Sequence, residues 1–173
     1  NAFCVHDGDA KVLDPACGSG SFLVRAYYLK KLLAPGKPHA ELLAELFGCD
    51  IALYPAHLAT LNLAAREITN ERNYPCIARK DFFDVQPGKP FCTTPGTDPH
   101  TVVGVSLPAL DAVVGNPPYV RQEKLGRELK DKLGKLLREA WPDLALSGRS
   151  DFHCYFWPAA ARFLREGGHF GFL

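Results

Sequence analysis

One stretch decides the fold: Leu110-Asp111-Ala112-Val113-Val114-Gly115-Asn116-Pro117-Pro118-Tyr119. Its first half is a continuous apolar run rich in valine, which is typical of a strand buried on both faces of a parallel sheet. The run stops at Gly115, so the next four residues stand at the carboxyl end of that strand. In an open α/β sheet this edge is where ligands bind. The two prolines fix the backbone there and remove two N–H donors, which leaves carbonyl oxygens to face a ligand.

The turn from Asn116 to Tyr119 suits the methylation of an exocyclic amine on a nucleobase. The lone pair of such an amine is delocalised into the ring, which makes the nitrogen a poor nucleophile. The Asn116 side-chain oxygen and the Pro117 carbonyl would each accept one amine hydrogen and favour the pyramidal form that develops in the transition state. Tyr119 would supply a stacking face for an extruded base. The alternative is an ordinary Asn-Pro turn followed by a half-buried tyrosine.

Length and composition predict one domain with a real core, since the chain has 173 residues of which 47% are hydrophobic. A net charge of +1 is not the footprint of a protein that holds duplex DNA by phosphate contacts alone. No apolar run is long enough to span a bilayer, and no charged-apolar-small pattern predicts a secretory signal. The chain has no methionine and opens Asn1-Ala2, which indicates an excised piece of a larger protein.

The cysteines predict reduced thiols in a cytoplasmic protein. They include no C-x-x-C pair and no zinc-finger spacing, so we expect neither a disulfide framework nor a metal site. Several of them should be ordinary core residues. The six are Cys4, Cys17, Cys49, Cys76, Cys92 and Cys154.

The start of the chain predicts a strand, a glycine turn and a helix. The strand covers Lys11 to Leu13, and the helix runs to about Leu33, before Pro35-Gly36. Gly18 and Gly20 let the backbone come close to a ligand, and the helix N-terminus offers N–H groups. Alone, this pattern would serve a nucleotide, a flavin or only a tight turn.

Acids follow the next two predicted strands. Asp50 stands where a nucleotide-binding fold accepts hydrogen bonds from both ribose hydroxyls, although it would also cap the next helix. Asp81 and Phe82 would hold an adenine by its amino group and its face. Core packing is at least as good an interpretation for one of the two phenylalanines, Phe82 and Phe83.

The remaining elements are predicted from periodicity and from glycine and proline. Helices are expected over His39–Phe47, from about Pro55 to Thr69, from Gln122 to about Trp141 and over Asp151–Arg165. The second has a core stripe of Leu58, Leu61, Ala65 and Ile68, and the third an apolar face of Leu125, Leu129, Leu133, Leu136 and Ala140. A long loop with a brief strand at Val102–Val105 should cover Gln86–Pro108, and Gly167-Gly168 should break the last helix.

The helix after Gln122 carries the one basic patch of the sequence. Seven cations stand against four anions there, which favours phosphate contact and a plain solvated face equally. The cations are Arg121, Lys124, Arg127, Lys130, Lys132, Lys135 and Arg138, and the anions Glu123, Glu128, Asp131 and Glu139.

Four segments together resemble, in order and spacing, the motifs of S-adenosylmethionine-dependent DNA adenine-N6 methyltransferases, above all the methylase regions of restriction-modification enzymes. They are Asp14-Pro15-Ala16-Cys17-Gly18-Ser19-Gly20, Asp50, Asp81-Phe82-Phe83 and Asn116-Pro117-Pro118-Tyr119. The segment Asp151–Leu173 resembles a later motif of that family, with Phe156 at its aromatic position.

This resemblance implies S-adenosylmethionine as the cofactor. Asp14 and Gly18 would lie beside its methionine moiety, Asp50 at its ribose, and Asp81 and Phe82 at its adenine. The full expected cofactor set is Asp14, Pro15, Ala16, Cys17, Gly18, Gly20, Asp50, Ile51, Asp81, Phe82 and Asn116. The expected catalytic set is Asn116, Pro117, Pro118 and Tyr119.

The fold implied is an α/β, Rossmann-like methyltransferase core with three layers and parallel strand order 3-2-1-4-5, truncated before the last two strands. Residues 11–84 would bind the cofactor, residues 85–108 form an insertion loop, and residues 109–173 carry the catalytic strand and the following helices. The strands are expected near Lys11–Leu13, Leu46–Cys49, Ile77–Ala78, Asp111–Val114 and His169–Leu173. The implied partners are duplex DNA with one adenine flipped out, a target-recognition domain, and a nuclease domain or subunit.

Two other classes of function are consistent with these motifs. A ribosomal-RNA or protein-glutamine methyltransferase carries a similar Asn-Pro-Pro-Tyr turn, because each activates a planar amino nitrogen. A cofactor-binding fragment that catalyses nothing alone is the alternative of another class. The opening Asp14-Pro15-Ala16-Cys17-Gly18-Ser19-Gly20 favours DNA.

Overall fold

The computed structural model describes residues 3–96, 98, 100–144, 146–147 and 149–173. These residues form two compact units. The first consists of the chain up to Asn116 together with Phe163–Leu173, and the second of Pro117–Arg162. Both junctions fall inside the predicted part 109–173, and the grouping of the chain into one domain stays a prediction.

Seven strands occur among the described residues, all in the first unit. In chain order they are β1 (Val12–Asp14), β2 (Leu46–Asp50), β3 (Cys76–Arg79), β4 (Pro90–Pro95), β5 (Val102–Ser106), β6 (Leu110–Gly115) and β7 (Leu164–Phe172).

Five of these strands make one parallel sheet in the order β3-β2-β1-β6-β7. This confirms the predicted order 3-2-1-4-5, counted over the strands of this sheet. The two central strands are buried on both faces, as the valine run of β6 predicts: Val12, Leu13, Ala112, Val113 and Val114 have no exposed surface. Strand order reverses between β1 and β6, so the switch point lies at their carboxyl ends.

Five helices occur among the described residues: α1 (Ser21–Leu33), α2 (His39–Ala44), α3 (Leu53–Ala64), α4 (Arg127–Ala140) and α5 (His153–Ala161). Helix α1 packs against β1 and β2, and α3 against β2 and β3. The α1 side chain Lys30 is fully buried, which is tolerable because it pairs with Glu45 at 2.7 Å and donates to the Ala10 carbonyl. Helix α2 ends before the predicted Phe47, which belongs to β2.

The core stripe predicted for α3 is wrong. Leu61 is 65% exposed and Ile68, beyond the end of the helix, is 81% exposed. The buried side chains of α3 are Ala56, Ala59 and Leu63. Small residues face inward because the helix approaches the glycine turn closely: a Cβ at Gly20 would stand 3.0 Å from the Cβ of Ala59.

The loop expected over Gln86–Pro108 contains an antiparallel hairpin of β4 and β5. The brief strand predicted at Val102–Val105 is confirmed, but its partner β4 was missed because prolines stand at both of its ends. Phe91 anchors the hairpin, since its ring is buried and packs edge-on against Phe47. Residues 97 and 99 of the predicted loop lie outside the described residues.

The amphipathic helix of the second unit starts later than predicted. A 3₁₀ turn covers Gln122–Lys124, and α4 begins at Arg127. Its buried leucines are Leu133 and Leu137, so Leu137 takes the place predicted for Leu136. The flanking lysines and arginines are mostly solvent-exposed.

The end of the chain was also predicted too helical. Helix α5 ends before Arg165, and β7 begins well before the predicted His169. The glycine pair lies in an irregularity of β7 rather than at a helix end, since Leu110 pairs with Leu164 whereas Ala112 pairs with His169.

All six cysteines are described and all are free thiols, four of them buried, as predicted for core residues. Within the described ranges no group of three histidine, cysteine or acidic side chains could hold a metal ion. Over the same ranges no helix has both the length and the apolar composition needed to cross a membrane.

Candidate functional site

Four polar residues stand at the carboxyl ends of four adjacent parallel strands. Asp14 is the last residue of β1, Asp50 the last of β2, Asp81 lies just after β3, and Asn116 directly follows β6. Because neighbouring parallel strands end at the same edge, these residues share one side of the sheet. Asp14 and Asn116 therefore end neighbouring strands, beside the switch point of the sheet.

Asp14 is a buried acid with one unused oxygen. It is 1% exposed, and its Oδ1 accepts the Ala16 N–H at 3.1 Å. Nothing among the described residues donates a hydrogen bond to Oδ2, which is also buried. Burial raises the pKa of Asp14 to about 7; the Ala16 hydrogen bond opposes this rise and the nearby charge of Asp50 adds to it. Such an oxygen is costly unless a ligand group bonds to it.

Gly115 gives Asp14 its room. A Cβ at this position would stand 2.6 Å from Oδ1 of Asp14, well inside van der Waals contact. The φ of Gly115 is 154°, a value that residues with side chains rarely adopt. The glycine that ends the valine run therefore lets the acid of β1 lie directly against the end of β6.

The glycine turn after β1 is bonded to the end of β2. The Cys17 N–H donates to the Cys49 carbonyl at 2.8 Å, and the Gly18 N–H donates to Oδ2 of Asp50 at 3.0 Å. The other oxygen of Asp50 accepts the Ala52 N–H at 2.8 Å. Asp50 thus links the turn to the residue that precedes α3, but it does not cap that helix, whose N-cap is Ala52 and which has no side-chain cap hydrogen bond.

Asn62 is a site residue that the sequence interpretation missed. From α3 it donates through Nδ2 to the Ser19 carbonyl at 2.9 Å, so it holds the glycine turn by a second side-chain hydrogen bond besides that of Asp50. A half-buried amide in an otherwise apolar stretch of helix was the available signal, because such a group must find a partner.

The residues of the turn itself play backbone roles. Pro15 is buried, and burial raises the pKa of the Cys17 thiol, which keeps it neutral. The space beside Gly18 is open, with no atom within 4 Å of the place where a Cβ would stand. The turn therefore presents backbone and open volume rather than reactive side chains.

Asp81 and Phe82 differ in accessibility. Asp81 is half-buried and accepts the Phe83 N–H at 3.0 Å through Oδ1. Phe82 is 3% exposed, and its ring packs 5.9 Å from that of Phe163 and 6.2 Å from that of Phe83. The geometry favours core packing for Phe82, and its contact with a cofactor stays a prediction. Ile51, by contrast, is 69% exposed beside Asp50.

Asn116 is exposed, and its side-chain amide forms no hydrogen bond within the described ranges. It is the last residue of the first unit before the chain continues into the second. In the second unit Tyr119 is 63% exposed, and its ring lies 5.0 Å from that of His153. Pro118 is also exposed, whereas Pro117 is buried.

The model of one protein family, described as N-6 DNA Methylase, matches residues 3–142. The match spans most of the chain and includes all four strand-end residues. The chain belongs to the N-6 DNA methylase family.

Solved structures agree with this methylase fold. An ATP-dependent Type ISP restriction-modification enzyme, LlaBIII, bound to DNA, matches 95% of this chain with a TM-score of 0.61 and 20% identity. The type IIG restriction endonuclease BpuSI matches 91% with a TM-score of 0.63 and 18% identity. A Listeria monocytogenes protein described as a class I S-adenosylmethionine-dependent methyltransferase matches 94% with a TM-score of 0.56 and 16% identity.

The methylase chain is much shorter than these proteins. It spans 13% of the length of LlaBIII, 16% of that of BpuSI and 38% of that of the Listeria protein. At these identities the likeness shows the fold, which is that of class I S-adenosylmethionine-dependent methyltransferases.

Proposed function

We propose that this methylase transfers a methyl group from S-adenosylmethionine to the N6 amine of an adenine flipped out of duplex DNA, as the modification activity of a restriction-modification system. The observation that carries the proposal is the sharing of one sheet edge by Asp14, Asp50, Asp81 and Asn116. We further propose that target recognition and any nuclease activity reside in other parts of the full-length protein or its partners.

The residues at the ends of β1 and β2 fit the cofactor. The unpartnered Oδ2 of Asp14 suits an ammonium group, which would supply the missing hydrogen bond and compensate the buried charge. The open space beside Gly18 lets a ligand approach the backbone. Asp50 keeps acceptor capacity for ribose hydroxyls, because each carboxylate oxygen can take more than the one N–H it now accepts.

The adenine end of the cofactor would lie at Ile51 and Asp81. Ile51 offers an exposed apolar side chain that would cover one face of the base. Asp81 retains an oxygen, Oδ2, that would accept from the amino group. When bound, S-adenosylmethionine supplies an electrophilic methyl group.

Asn116 and Pro117 would prepare the target amine. The Asn116 side-chain oxygen and the Pro117 carbonyl each accept one amine hydrogen, which draws the nitrogen from planar towards pyramidal geometry. Its lone pair is then localised for attack, and the two acceptors stabilise the positive charge that grows on the nitrogen. The exposed amide of Asn116 suits this role, because no hydrogen bond inside the described residues has to break first.

The proton that the nitrogen must lose needs no dedicated base. The methylated, positively charged amine is acidic enough to lose its proton to water or to one of its acceptors. Tyr119 contributes through its ring, as a stacking face that compensates the base for the neighbours it loses on leaving the duplex.

The experiment that tests this function is a methyl-transfer assay with competing substrates. The full-length protein is incubated with methyl-labelled S-adenosylmethionine and with duplex DNA, ribosomal RNA or a protein fraction, and the labelled DNA is hydrolysed to nucleosides. We expect label in DNA alone, recovered as N6-methyl-2′-deoxyadenosine. Mapping the modified adenine in the duplex then defines the target position.

Other outcomes would select the alternatives. Label in ribosomal RNA, or in glutamine of the protein fraction, would replace DNA by that substrate. Calorimetric binding of S-adenosylmethionine without transfer to any of the three would reduce this methylase to a cofactor-binding module.

A further inference from the structure

Three consecutive residues of the second unit hold the segment that follows the paired prolines. Asp151 accepts the Gln122 N–H through Oδ1 at 2.8 Å. The Phe152 N–H donates to the Val120 carbonyl at 3.0 Å. The His153 ring lies against that of Tyr119, with centroids 5.0 Å apart and planes inclined at 44°. Residues 151–153, here termed the clamp, thus contact three of the four residues from Tyr119 to Gln122.

Within the clamp, the hydrogen bonds of Asp151 and Phe152 hold the backbone that carries His153. His153 is the first residue of α5, and the hydrogen bonds of its two predecessors determine where that helix starts. On its other side, Nε2 of His153 lies 3.6 Å from Sγ of Cys154. The imidazole is therefore half-buried, on a backbone that the hydrogen bonds of the two preceding residues hold in place.

The contacts of His153 do not describe a proton relay. The Asp151 carboxylate accepts from the Gln122 backbone, and Nδ1 of His153 is buried with no hydrogen-bond partner among the described residues. A histidine that acts as a base is normally oriented by a carboxylate or carbonyl at its second nitrogen. The contact that remains to explain a ring at this position is the one with Tyr119.

We propose that His153 is a positioning residue that holds the Tyr119 ring in the orientation in which it stacks on the extruded base. The inference rests on the proposed function, since it presupposes a base that leaves the duplex. Tyr119 is 63% exposed, so its ring can still sample other rotamers, and the entropy lost in ordering it would oppose base capture. An aromatic neighbour removes that cost in advance, because inclined ring pairs attract each other beyond simple burial.

The test compares two substitutions at one position. In the full-length protein, His153→Ala removes the ring and His153→Phe keeps it. The readouts are the KM for duplex DNA, kcat at saturating DNA, and the fluorescence rise of a duplex that carries 2-aminopurine at the mapped target adenine. An aromatic pair accounts for roughly a 3- to 10-fold effect. We expect His153→Ala to raise KM by that factor and to lower the 2-aminopurine signal, with kcat and calorimetric affinity for S-adenosylmethionine within about two-fold.

The rescue and the control make the result specific. His153→Phe should restore both KM and the 2-aminopurine signal. His100→Ala, which removes an exposed histidine of the first unit between β4 and β5, should leave both unchanged. A merely structural role for His153 would instead lower the melting temperature and the cofactor affinity together with the DNA readouts.

A double substitution tests the mechanism itself. If His153 acts through Tyr119, adding His153→Ala to Tyr119→Ala should cost nothing further in KM. Independent, additive effects of the two substitutions would overturn the proposal, as would a normal KM and 2-aminopurine signal in His153→Ala. If the unmodified protein methylates DNA but the variants give either of these two results, only the positioning role of His153 is wrong. If the unmodified protein transfers no methyl group to DNA, the proposed function fails and this inference with it.

Discussion

The turn after β1 and the turn after β6 end neighbouring strands of one sheet, yet the fold treats them in opposite ways. Around the first, the N–H groups of Cys17 and Gly18 and the carbonyl of Ser19 all have partners on β2 or α3. At the second, Leu173 bonds to the Gly115 carbonyl, but the side chain of Asn116 is exposed and makes no hydrogen bond within the described residues.

Under the proposed function, the residues of the bonded turn support both the fold and the cofactor, whereas Asn116 acts only on the target base. A substitution in the bonded turn should change stability and cofactor affinity in parallel, because the same hydrogen bonds support both. A substitution of Asn116 should change only the chemistry. Within the bonded turn, the unpartnered Oδ2 of Asp14 is the exception that points to a ligand.

Asn116→Ala should give the largest loss of methyl-transfer rate, with little change in stability or cofactor affinity. The amine would lose one of two acceptors, and removing one such preorganised group lowers a rate by on the order of a hundred-fold or more. Single-turnover methyl transfer by the full-length protein measures this. Melting temperature and calorimetric affinity for S-adenosylmethionine should stay close to those of the unmodified protein.

Asn116→Asp is the matched control, since it keeps an oxygen acceptor while it replaces the amide NH2 group by a charged carboxylate oxygen. It should transfer faster than Asn116→Ala. An alanine variant with a normal rate would show that this turn is structural.

Asp50→Ala should weaken cofactor binding by about ten-fold or more, because lost hydrogen bonds to a charged group are worth about 1.5 to 3 kcal/mol. Unlike Asn116→Ala, it should also lower stability, since the Gly18 and Ala52 N–H groups lose their acceptor. Calorimetry and thermal unfolding together check both effects. Asp50→Asn retains one side-chain oxygen, so its cofactor affinity and stability should lie between those of Asp50→Ala and the unmodified protein. Unchanged affinity in Asp50→Ala would remove this residue from the cofactor site.

The strands of the parallel sheet could be predicted from the sequence because a glycine or an acidic residue marks the end of several of them. The valine run stops at Gly115, and acids follow the strands that end near Leu13 and Cys49. The strand order was implied by the resemblance of the motifs to the methyltransferase family. The interior of α3 could not be predicted by the same reasoning, because periodicity identifies an apolar stripe without saying whether a neighbour leaves room for it. The close approach of Ala59 to Gly20 decided which side faced inward.

The candidate site shows the same division. Residues proposed to contact a ligand directly, such as Asp14 and Asn116, stand in recognisable motifs. Supporting residues, such as Asn62 and His153, were not predicted, because their roles depend on contacts with Ser19 and Tyr119 that only folding creates. Exposure also depends on packing, which is why Phe82 could be assigned to an adenine contact although its ring is buried.

Cofactor affinity should depend on pH through Asp14. Its pKa is raised to about 7 mainly by burial, so in the ligand-free protein it is largely neutral below that pH and charged above it. A cationic group at Oδ2 favours the charged form, so binding should release a proton and strengthen as pH rises. The charged fraction increases about ten-fold between about pH 6 and about pH 8, and affinity should follow it.

Calorimetry at several pH values, in buffers of different ionisation enthalpy, measures this slope and the proton release. Asp14→Asn cannot titrate and should flatten the curve to the slope that the ligand's own groups cause. By the same sign, the raised pKa makes the ligand-free protein lose stability as pH rises from about 4 through about 7, and Asp14→Asn should remove that loss. An affinity that falls with rising pH would contradict a cation beside Asp14.

Asn62→Ala should give the smallest effect of these substitutions, because Asn62 supports the bonded turn but lies in none of the motifs. It removes the hydrogen bond to the Ser19 carbonyl, a neutral bond worth about 0.5 to 1.5 kcal/mol, so cofactor affinity should fall by roughly 2- to 10-fold. The rate at saturating cofactor should change little, since the turn after β6, which is proposed to bind the target amine, is untouched. Thr60→Ala is the matched control: its hydroxyl bonds to the Ala56 carbonyl inside α3 and does not contact the turn. If Thr60→Ala weakens cofactor binding as much as Asn62→Ala, the effect belongs to α3 as a whole. If Asn62→Ala lowers kcat rather than cofactor affinity, the turns after β1 and β6 are coupled, and they do not have separate roles.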